Sequence, residues 1–170
     1  HTIHGRAPTF ATGLRLANPD LQVWMVTGDG DGLSIGGNHL IHCIRRNVDI
    51  KILLFNNEIY GLTKGQASPT SRRGTRSPST PQGSLDAPLS ALKLALGAGA
   101  RFVARGIDTQ QKVLPEILKR ARRHKGAALV EILQNCIVYN DDAFASITAK
   151  ANEADAQIHL THGQPLLFGK

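Results

Sequence analysis

Two strand-length apolar runs, each followed by a polar turn, most constrain the fold of this chain. The first run covers residues 21–27 and is followed by the sequence Gly-Asp-Gly-Asp at residues 28–31. The second covers residues 50–55 and is followed by two asparagines, with 25 residues between Gly30 and Asn56. The order strand, helix, strand predicts a right-handed βαβ unit, which places both polar turns at the carboxyl edge of one parallel sheet. In open α/β sheets, ligands bind at that edge.

The rest of the chain repeats the alternation of helices and strands. Further strands are predicted at residues 101–105 and 127–133, and helices at residues 8–16, 35–46, 89–96, 109–124 and 144–150. This alternation predicts an α/β fold with a doubly wound parallel sheet. Thr109 is the predicted N-cap of its helix. Residues 60–88 carry four prolines and are predicted to form a long loop, which in a compact domain usually has a function.

Length and composition favour one domain of a longer protein. The chain has 170 residues, opens on His1 and has Met25 as its only methionine, so we expect a fragment truncated at both ends. We expect a core over residues 1–140 and a truncated C-terminal extension over residues 141–170. Two cysteines make no disulfide framework, so a reducing, cytoplasmic setting is expected. No apolar run approaches about 18 residues, so no membrane span is expected.

The positive charge of the chain allows more than one interpretation. The net charge is +7, and much of it lies in residues 119–125 and at Arg72, Arg73 and Arg76. Cations in the last turn of a helix interact favourably with its dipole, and this is the preferred interpretation of residues 119–125. For the three arginines we expect only solvent exposure. With 5% aromatic residues and no RNA-binding motif, no nucleic-acid partner is expected, although a basic module for nucleic acid or an acidic partner stays an alternative.

Oxygen-bearing side chains in the two polar turns indicate a metal–diphosphate site. Asp29 contributes a carboxylate and Asn57 an amide oxygen, which are the hard ligands that Mg²⁺ prefers when it bridges a diphosphate. Gly28 and Gly30 allow the backbone to approach such a ligand closely. Asp31 is interpreted as a hydrogen-bonding residue within the loop rather than as a metal ligand. The spacing of these glycines does not match a dinucleotide-binding loop.

The two turns together resemble the thiamine diphosphate (TPP) motif, in which GDG is followed by NN. The surrounding sequence resembles the β subunits of 2-oxoacid:ferredoxin oxidoreductases, and most of all the 2-oxoglutarate type. The resemblance covers nearly the whole chain. The segments that carry it are residues 2–7, 28–39, 55–66, 94–98, 102–105 and 130–136.

This resemblance implies a set of site residues. It implies that Mg²⁺ is bound by Asp29, Asn57 and the backbone carbonyl of Ile59. It also implies that the loop containing Leu62 and Lys64 lines the 2-oxoacid pocket, although Lys64 is equally well explained as a solvated loop residue. The implied cofactor-binding residues are His4, Gly28, Asp29, Gly30, Asp31, Asn57, Ile59 and Gly61.

For Cys136, the resemblance implies ligation of a 4Fe–4S cluster in the intact subunit. The family supplies three further cysteines upstream, and none of them is present in this chain. Cys43 is interpreted as a small core residue of a helix. Glu131 is interpreted as a strand-end residue and Glu116 as a helix surface residue. The glutamate that activates TPP belongs in this family to a pyrimidine-binding domain, so no catalytic residue is expected here and a partner α subunit is implied.

The activity implied by the resemblance is oxidative decarboxylation of a 2-oxoacid. The expected substrate is 2-oxoglutarate, coenzyme A takes the acyl group, and ferredoxin takes the electrons. A non-oxidative TPP enzyme of the acetolactate synthase or decarboxylase type shares the GDG and NN motif and stays an alternative. It needs neither the cluster nor ferredoxin.

Overall fold

A four-stranded parallel sheet carries the fold, in a computed structural model that describes residues 3–167. The strands are β1 Val23–Gly28, β2 Ile50–Asn56, β3 Ile59–Tyr60, β4 Gln66–Ala67, β5 Phe102–Ile107 and β6 Ala128–Leu133. Residues 1–2 and 168–170, which include the outer ends of both predicted regions, lie outside the described residues. The order of strands in the parallel sheet is β1-β2-β6-β5, and β3 and β4 form a separate antiparallel pair.

Helices lie on both faces of the sheet, so the predicted doubly wound α/β fold is confirmed. None of the helices within residues 3–167 is long and apolar enough to cross a bilayer. The helices are α1 Ala7–Ala17, α2 Asp29–Leu33, α3 Gly37–Arg45, α4 Ala91–Gly97, α5 Leu114–Arg123, α6 Ala145–Thr148 and α7 Glu153–Ala156, with a 3₁₀ turn at Lys150–Asn152.

The core has one apolar layer on each face of the sheet. Helices α1, α3 and α4 pack against the face that carries Ile52 and Leu129. Helix α5 packs against the opposite face, which carries Val130 and Ile132. A third, smaller cluster joins Phe144 to the carboxyl ends of β5 and β6. The residues just beyond position 140 therefore contact the sheet directly, while the division of the chain at that point stays a prediction.

One predicted helix start is wrong, and two other helices begin two residues later than predicted. Thr109 does not cap a helix, because residues 108–113 connect β5 to α5 mainly through turns and α5 begins only at Leu114, with Pro115 in its first turn. A proline is compatible with the first turn, where its missing N–H is not needed. Helix α3 begins at Gly37 rather than at residue 35, and α4 begins at Ala91 rather than at residue 89. The short helix α2 begins at Asp29, directly after Gly28 of the Gly-Asp-Gly-Asp sequence.

A buried lysine ties the strands together at the edge opposite the polar turns. The side chain of Lys51 is 3% exposed, and its Nζ donates to Asp49 Oδ1 over 2.5 Å. It also donates to the carbonyl oxygens of His124, at 2.6 Å, and Gly126, at 3.2 Å. Burial alone raises the pKa of Asp49, but the hydrogen bonds from Lys51 and Gly126 and the charges of Lys51 and Arg15 lower it below its usual range.

We expect the Asp49–Lys51 pair to make the free energy of unfolding decrease at acidic pH. Because the pKa of Asp49 is lower in the folded than in the unfolded state, its contribution is present above about pH 4 and is lost as the pH falls through the folded value. Asp49→Asn should lower the free energy of unfolding at pH 7 by about 3 kcal/mol, since it leaves Lys51 without its anion. It should also flatten the decline between about pH 5 and pH 2. Urea unfolding at a series of pH values measures both effects.

The matched control is Asp86→Asn, in an exposed part of the long loop. This variant should follow the wild-type pH profile. A profile for Asp49→Asn that runs parallel to the wild type would contradict the prediction.

Candidate functional site

The register of the sheet brings the two polar turns to one edge. Gly28, the last residue of β1, pairs with Phe55 of β2, so Asp29 and Asn57 both follow the carboxyl ends of neighbouring parallel strands. On the other side of β2, the N–H of Gln134 donates to the carbonyl of Asn56 over 2.9 Å. The juxtaposition expected from the sequence is therefore present.

Asp29 is a buried carboxylate at the centre of this edge. Its residue is 2% exposed, and its Oδ2 accepts hydrogen bonds from the hydroxyls of Ser68, at 2.6 Å, and Thr70, at 2.5 Å. Burial raises the pKa of Asp29, and these hydrogen bonds offset only part of that effect. A cation bound beside Asp29 would stabilise its ionised form.

The second turn presents Asn57 and the backbone around it. Asn57 Oδ1 accepts the N–H of Ile59 over 3.3 Å, and the Asn57 carbonyl accepts from Asn140 Nδ2 over 2.8 Å. Glu58 has a φ of 56°, and its carbonyl is held by the Ser71 hydroxyl at 2.5 Å. A carboxylate, an amide oxygen and backbone carbonyls at one edge are a donor set that fits Mg²⁺. The individual ligand assignments stay predictions.

The glycines of the first turn differ in what surrounds them. A Cβ on Gly30 would lie 2.3 Å from Cε1 of Tyr60, whose hydroxyl donates to the Gly30 carbonyl over 2.8 Å. Gly30 therefore makes room for an aromatic ring of the second turn. A Cβ on Gly28 would meet only the Phe55 carbonyl, at 4.0 Å, so the backbone there is open to a ligand.

Asp31 accepts hydrogen bonds, but its partners lie outside the turn rather than within it as expected. Its Oδ1 accepts the N–H of Gly5 over 2.7 Å and lies 2.7 Å from His4 Nδ1. Its Oδ2 accepts from the Thr27 hydroxyl over 2.6 Å. These contacts place the exposed His4 next to the first turn, with its ring centroid 6.1 Å from that of Tyr60.

The loop between β3 and β4 projects from this edge. Leu62 is 99% exposed, and Lys64 is exposed with a φ of 74°. The N–H of Lys64 donates to the carbonyl of Gly61 over 3.0 Å, which closes the loop. Such exposed positions suit contact with a substrate or a partner protein, and the roles of both side chains stay predictions.

The two cysteines lie in different environments. Cys43 is buried in α3, which confirms the expectation of a core residue. Cys136 follows β6 and is half-buried, and a Cβ on Gly61 would lie 3.7 Å from its Sγ. In the part of the chain that the structure describes, no group of three or more His, Cys, Asp and Glu side chains could hold a metal ion. This part alone therefore does not supply a complete set of cluster ligands.

Several polar residues of the site are not identified by the sequence reasoning. Glu131 is not a strand-end residue: it lies within β6, is 1% exposed and accepts hydrogen bonds from Asn56 and Arg105. A lone acid inside a continuous apolar strand is the signal that could have found it. The hydroxyl-rich sequence at residues 68–71 is the corresponding signal for Ser68 and Thr70.

Solvent exposure, the role expected for Arg72, Arg73 and Arg76, is an incomplete description of Arg72. All three are exposed, but Arg72 Nε lies 3.1 Å from Glu58 Oε2, and the Arg72 guanidinium also donates to the carbonyl of Ala143. Burial raises the pKa of Glu58, and Arg72 opposes that shift. Arg72 therefore links the second turn to the segment after Cys136.

Comparison with known proteins supports the resemblance seen in the sequence. The 2-oxoglutarate oxidoreductase subunit KorB of Mycobacterium tuberculosis is 58% identical over 169 residues, which cover 99% of this chain and 45% of that protein. The 2-oxoacid:ferredoxin oxidoreductase subunit beta of Saccharolobus solfataricus is 49% identical over 141 residues, covering 83% of this chain and 46% of that protein. The chain thus spans just under half the length of these relatives.

A solved structure shows the same fold. It is the 2-oxoglutarate:ferredoxin oxidoreductase from Magnetococcus marinus with 2-oxoglutarate, coenzyme A and succinyl-CoA bound, which superposes with a TM-score of 0.79 at 45% identity. The match covers 81% of this chain and 47% of that chain. The family described as thiamine pyrophosphate enzyme, C-terminal TPP binding domain, matches residues 1–132. The chain therefore belongs to the thiamine pyrophosphate enzymes and contains their C-terminal TPP-binding domain.

Proposed function

We propose that this chain is the diphosphate-binding part of the β subunit of a 2-oxoacid:ferredoxin oxidoreductase. The intact enzyme would oxidatively decarboxylate 2-oxoglutarate, transfer the acyl group to coenzyme A and pass the electrons to ferredoxin. The observation that carries the proposal is the meeting of Asp29 and Asn57 at one sheet edge, in a chain so similar to named β subunits.

The residues of the two turns would hold the cofactor through Mg²⁺. Asp29, Asn57 and the carbonyl of Ile59 would bind the ion, and the open backbone at Gly28 would lie against the diphosphate. Asp31 would keep His4 beside that group. When bound, thiamine diphosphate supplies the carbanion chemistry of the decarboxylation. The protein supplies binding, orientation and charge.

Other parts of the active site would come from the exposed loop and from a partner. Lys64 would pair with a carboxylate of the 2-oxoacid as a point charge, and Leu62 would contact its carbon chain. The glutamate that activates the cofactor would belong to an α subunit that carries the pyrimidine-binding domain. The exposure of Leu62 supports a contact outside this chain.

Cys136 would be one of four thiolates of a 4Fe–4S cluster in the intact subunit. Its position beside Gly61 supports this role, because an electron carrier there would lie next to the turn that holds the diphosphate. The Asn140 side chain, which donates to the Asn57 carbonyl, connects the segment after Cys136 to the same turn.

Removal of a metal ligand should abolish cofactor binding. In the intact complex, Asp29→Asn or Asn57→Ala should weaken Mg²⁺-dependent TPP binding by about 100-fold or more, because even changes to groups that only support a metal ligand cost about 10–100-fold. Calorimetric titration with TPP at saturating Mg²⁺ measures the loss. Asp20→Asn, on the exposed segment before β1, is the control and should bind as the wild type does. Wild-type affinity in Asp29→Asn would refute the assignment.

The packing of Tyr60 on Gly30 yields a second prediction. In Gly30→Ala the new methyl group would overlap the ring, so Tyr60 must move and lose its hydrogen bond to the Gly30 carbonyl. We expect a loss of about 1–3 kcal/mol of stability and a smaller thermal shift on adding TPP and Mg²⁺.

Gly13→Ala, with no atom within 4 Å of the added Cβ, is the matched control. It should stabilise α1 by up to about 1 kcal/mol and leave the shift caused by cofactor unchanged. Thermal unfolding with and without cofactor distinguishes the two variants, and equal behaviour would contradict the packing argument.

A variant of Cys136 distinguishes the proposed oxidative enzyme from the non-oxidative alternative. In the intact complex, Cys136→Ser should retain TPP binding but lose ferredoxin reduction that depends on 2-oxoglutarate, because a serine hydroxyl is a poor ligand for iron. Cys43→Ala should keep both TPP binding and ferredoxin reduction. Full ferredoxin reduction by Cys136→Ser would exclude the cluster role. Release of CO₂ without any ferredoxin reduction by the wild type would favour the non-oxidative enzyme.

A further inference from the structure

A continuous chain of polar side chains runs from the edge strand β5 to Asp29. Arg105 Nε donates to Glu131 Oε2 over 2.7 Å, and Glu131 Oε1 accepts from Asn56 Nδ2 over 2.8 Å. The Thr70 hydroxyl oxygen then lies 3.0 Å from Asn56 Oδ1 and 2.5 Å from Asp29 Oδ2. Four of these five residues are buried, and only Arg105 reaches solvent.

Stability alone is a weak explanation for this arrangement. Glu131 lies in β6 among apolar residues, where a buried carboxylate loses its hydration. Arg105 and Asn56 compensate for that loss, but an apolar residue of similar size commonly serves a core as well or better. The polar chain therefore fits a role at the site more closely than a role in holding the sheet together.

Glu131 determines which way the amide of Asn56 faces. Glu131 accepts from Arg105 through Oε2 and from the NH₂ group of Asn56 through Oε1, so the amide nitrogen of Asn56 faces Glu131. Its oxygen then faces the Thr70 hydroxyl and also accepts the N–H of Glu58 at 3.1 Å. If Glu131 were apolar, the amide could turn over and present a donor to Thr70.

Thr70 connects Asn56 to Asp29, because its hydroxyl lies within hydrogen-bond distance of both side chains. The Thr70 hydroxyl has one hydrogen and three oxygens within reach, which are Asp29 Oδ2 at 2.5 Å, Asn56 Oδ1 at 3.0 Å and Ser68 Oγ at 3.1 Å. Because these oxygens compete for a single hydrogen, the bond from Thr70 to Asp29 depends on whether Asn56 presents an oxygen or an NH₂ group to Thr70. The hydroxyl in turn fixes Oδ2 of Asp29, which limits how the carboxylate can rotate.

We propose that Glu131 is a positioning residue of the cofactor site, which orients Asn56 and, through Thr70, sets the Asp29 carboxylate for the metal ion. The inference rests on the proposed function, in which Asp29 binds Mg²⁺. Groups that support a metal ligand typically change metal affinity by about 10–100-fold when they are removed.

The test is the Mg²⁺ concentration that half-saturates TPP binding, measured by titration of the intact complex at fixed TPP. Glu131→Met, which removes the acceptor but keeps the volume, should raise this concentration by about 10–100-fold. Glu131→Gln keeps an oxygen that can accept from Asn56 and should stay within about threefold of the wild type. A merely structural role would lower the melting temperature of Glu131→Met without raising its Mg²⁺ requirement.

Val130→Ala is the matched control, because Val130 directly precedes Glu131 in the same buried strand and lies on the opposite face. It should lower the melting temperature without changing the Mg²⁺ requirement. An unchanged requirement in Glu131→Met, or an equal rise in Val130→Ala, would overturn the inference.

A second pair of variants tests the same chain at Thr70, in case Glu131→Met does not fold. Thr70→Val should raise the Mg²⁺ requirement and Thr70→Ser should restore it, because only the serine keeps a hydroxyl between Asn56 and Asp29. An unchanged requirement in Thr70→Val would also overturn the inference. A wild-type complex that binds TPP without any need for Mg²⁺ would overturn the proposed function itself, and the inference with it.

Discussion

The parallel pairing of β2 with its two neighbours is the constraint on which the site depends. Because β1 and β6 flank β2 in fixed register, the residues that follow β1, β2 and β6 leave the sheet at one edge. Asp29, Asn57 and Cys136 come from three segments that are distant in the sequence, and this pairing places all three at that edge. The loops then need only to fix local geometry, which they do with hydroxyl and amide hydrogen bonds.

The buried and half-buried carboxylates at this edge differ in whether a positive charge lies beside them. Among residues 3–167, Glu58 and Glu131 each have an arginine partner, whereas the donors to Asp29 are hydroxyls and backbone N–H groups. Glu58 also has its pKa raised, mainly by burial, and Asp29 and Glu131 act on it in the same direction. A divalent cation at Asp29 would offset the cost of burying that carboxylate and its repulsion of Glu58.

The sequence predicted the strands and the two turns well because those features are local. Continuous apolar runs mark buried strands, and a Gly-Asp-Gly turn is visible without knowledge of its neighbours. The supporting polar chain was not predicted, because its partners are far apart along the chain: Thr70 and Asp29 are separated by 41 residues, and Glu131 and Asn56 by 75. The start of α5 was misplaced for a local reason, since Thr109 was preferred as a cap over the turns that lead to Pro115.

Strand β2 also has a consequence for how the chain folds. It carries a buried polar side chain near each end, and Lys51 and Asn56 point to opposite faces of the sheet, where each finds partners from the segment around β6. A pairing shifted by one residue would turn Lys51 toward the apolar layer of α1, α3 and α4 and would separate Asn56 from Glu131. Pairing strands so distant in sequence is slow, because the loop between them must close before the contacts form. A misaligned pairing would leave an unpaired ammonium group in the core, so the two polar residues favour the native register over its neighbours.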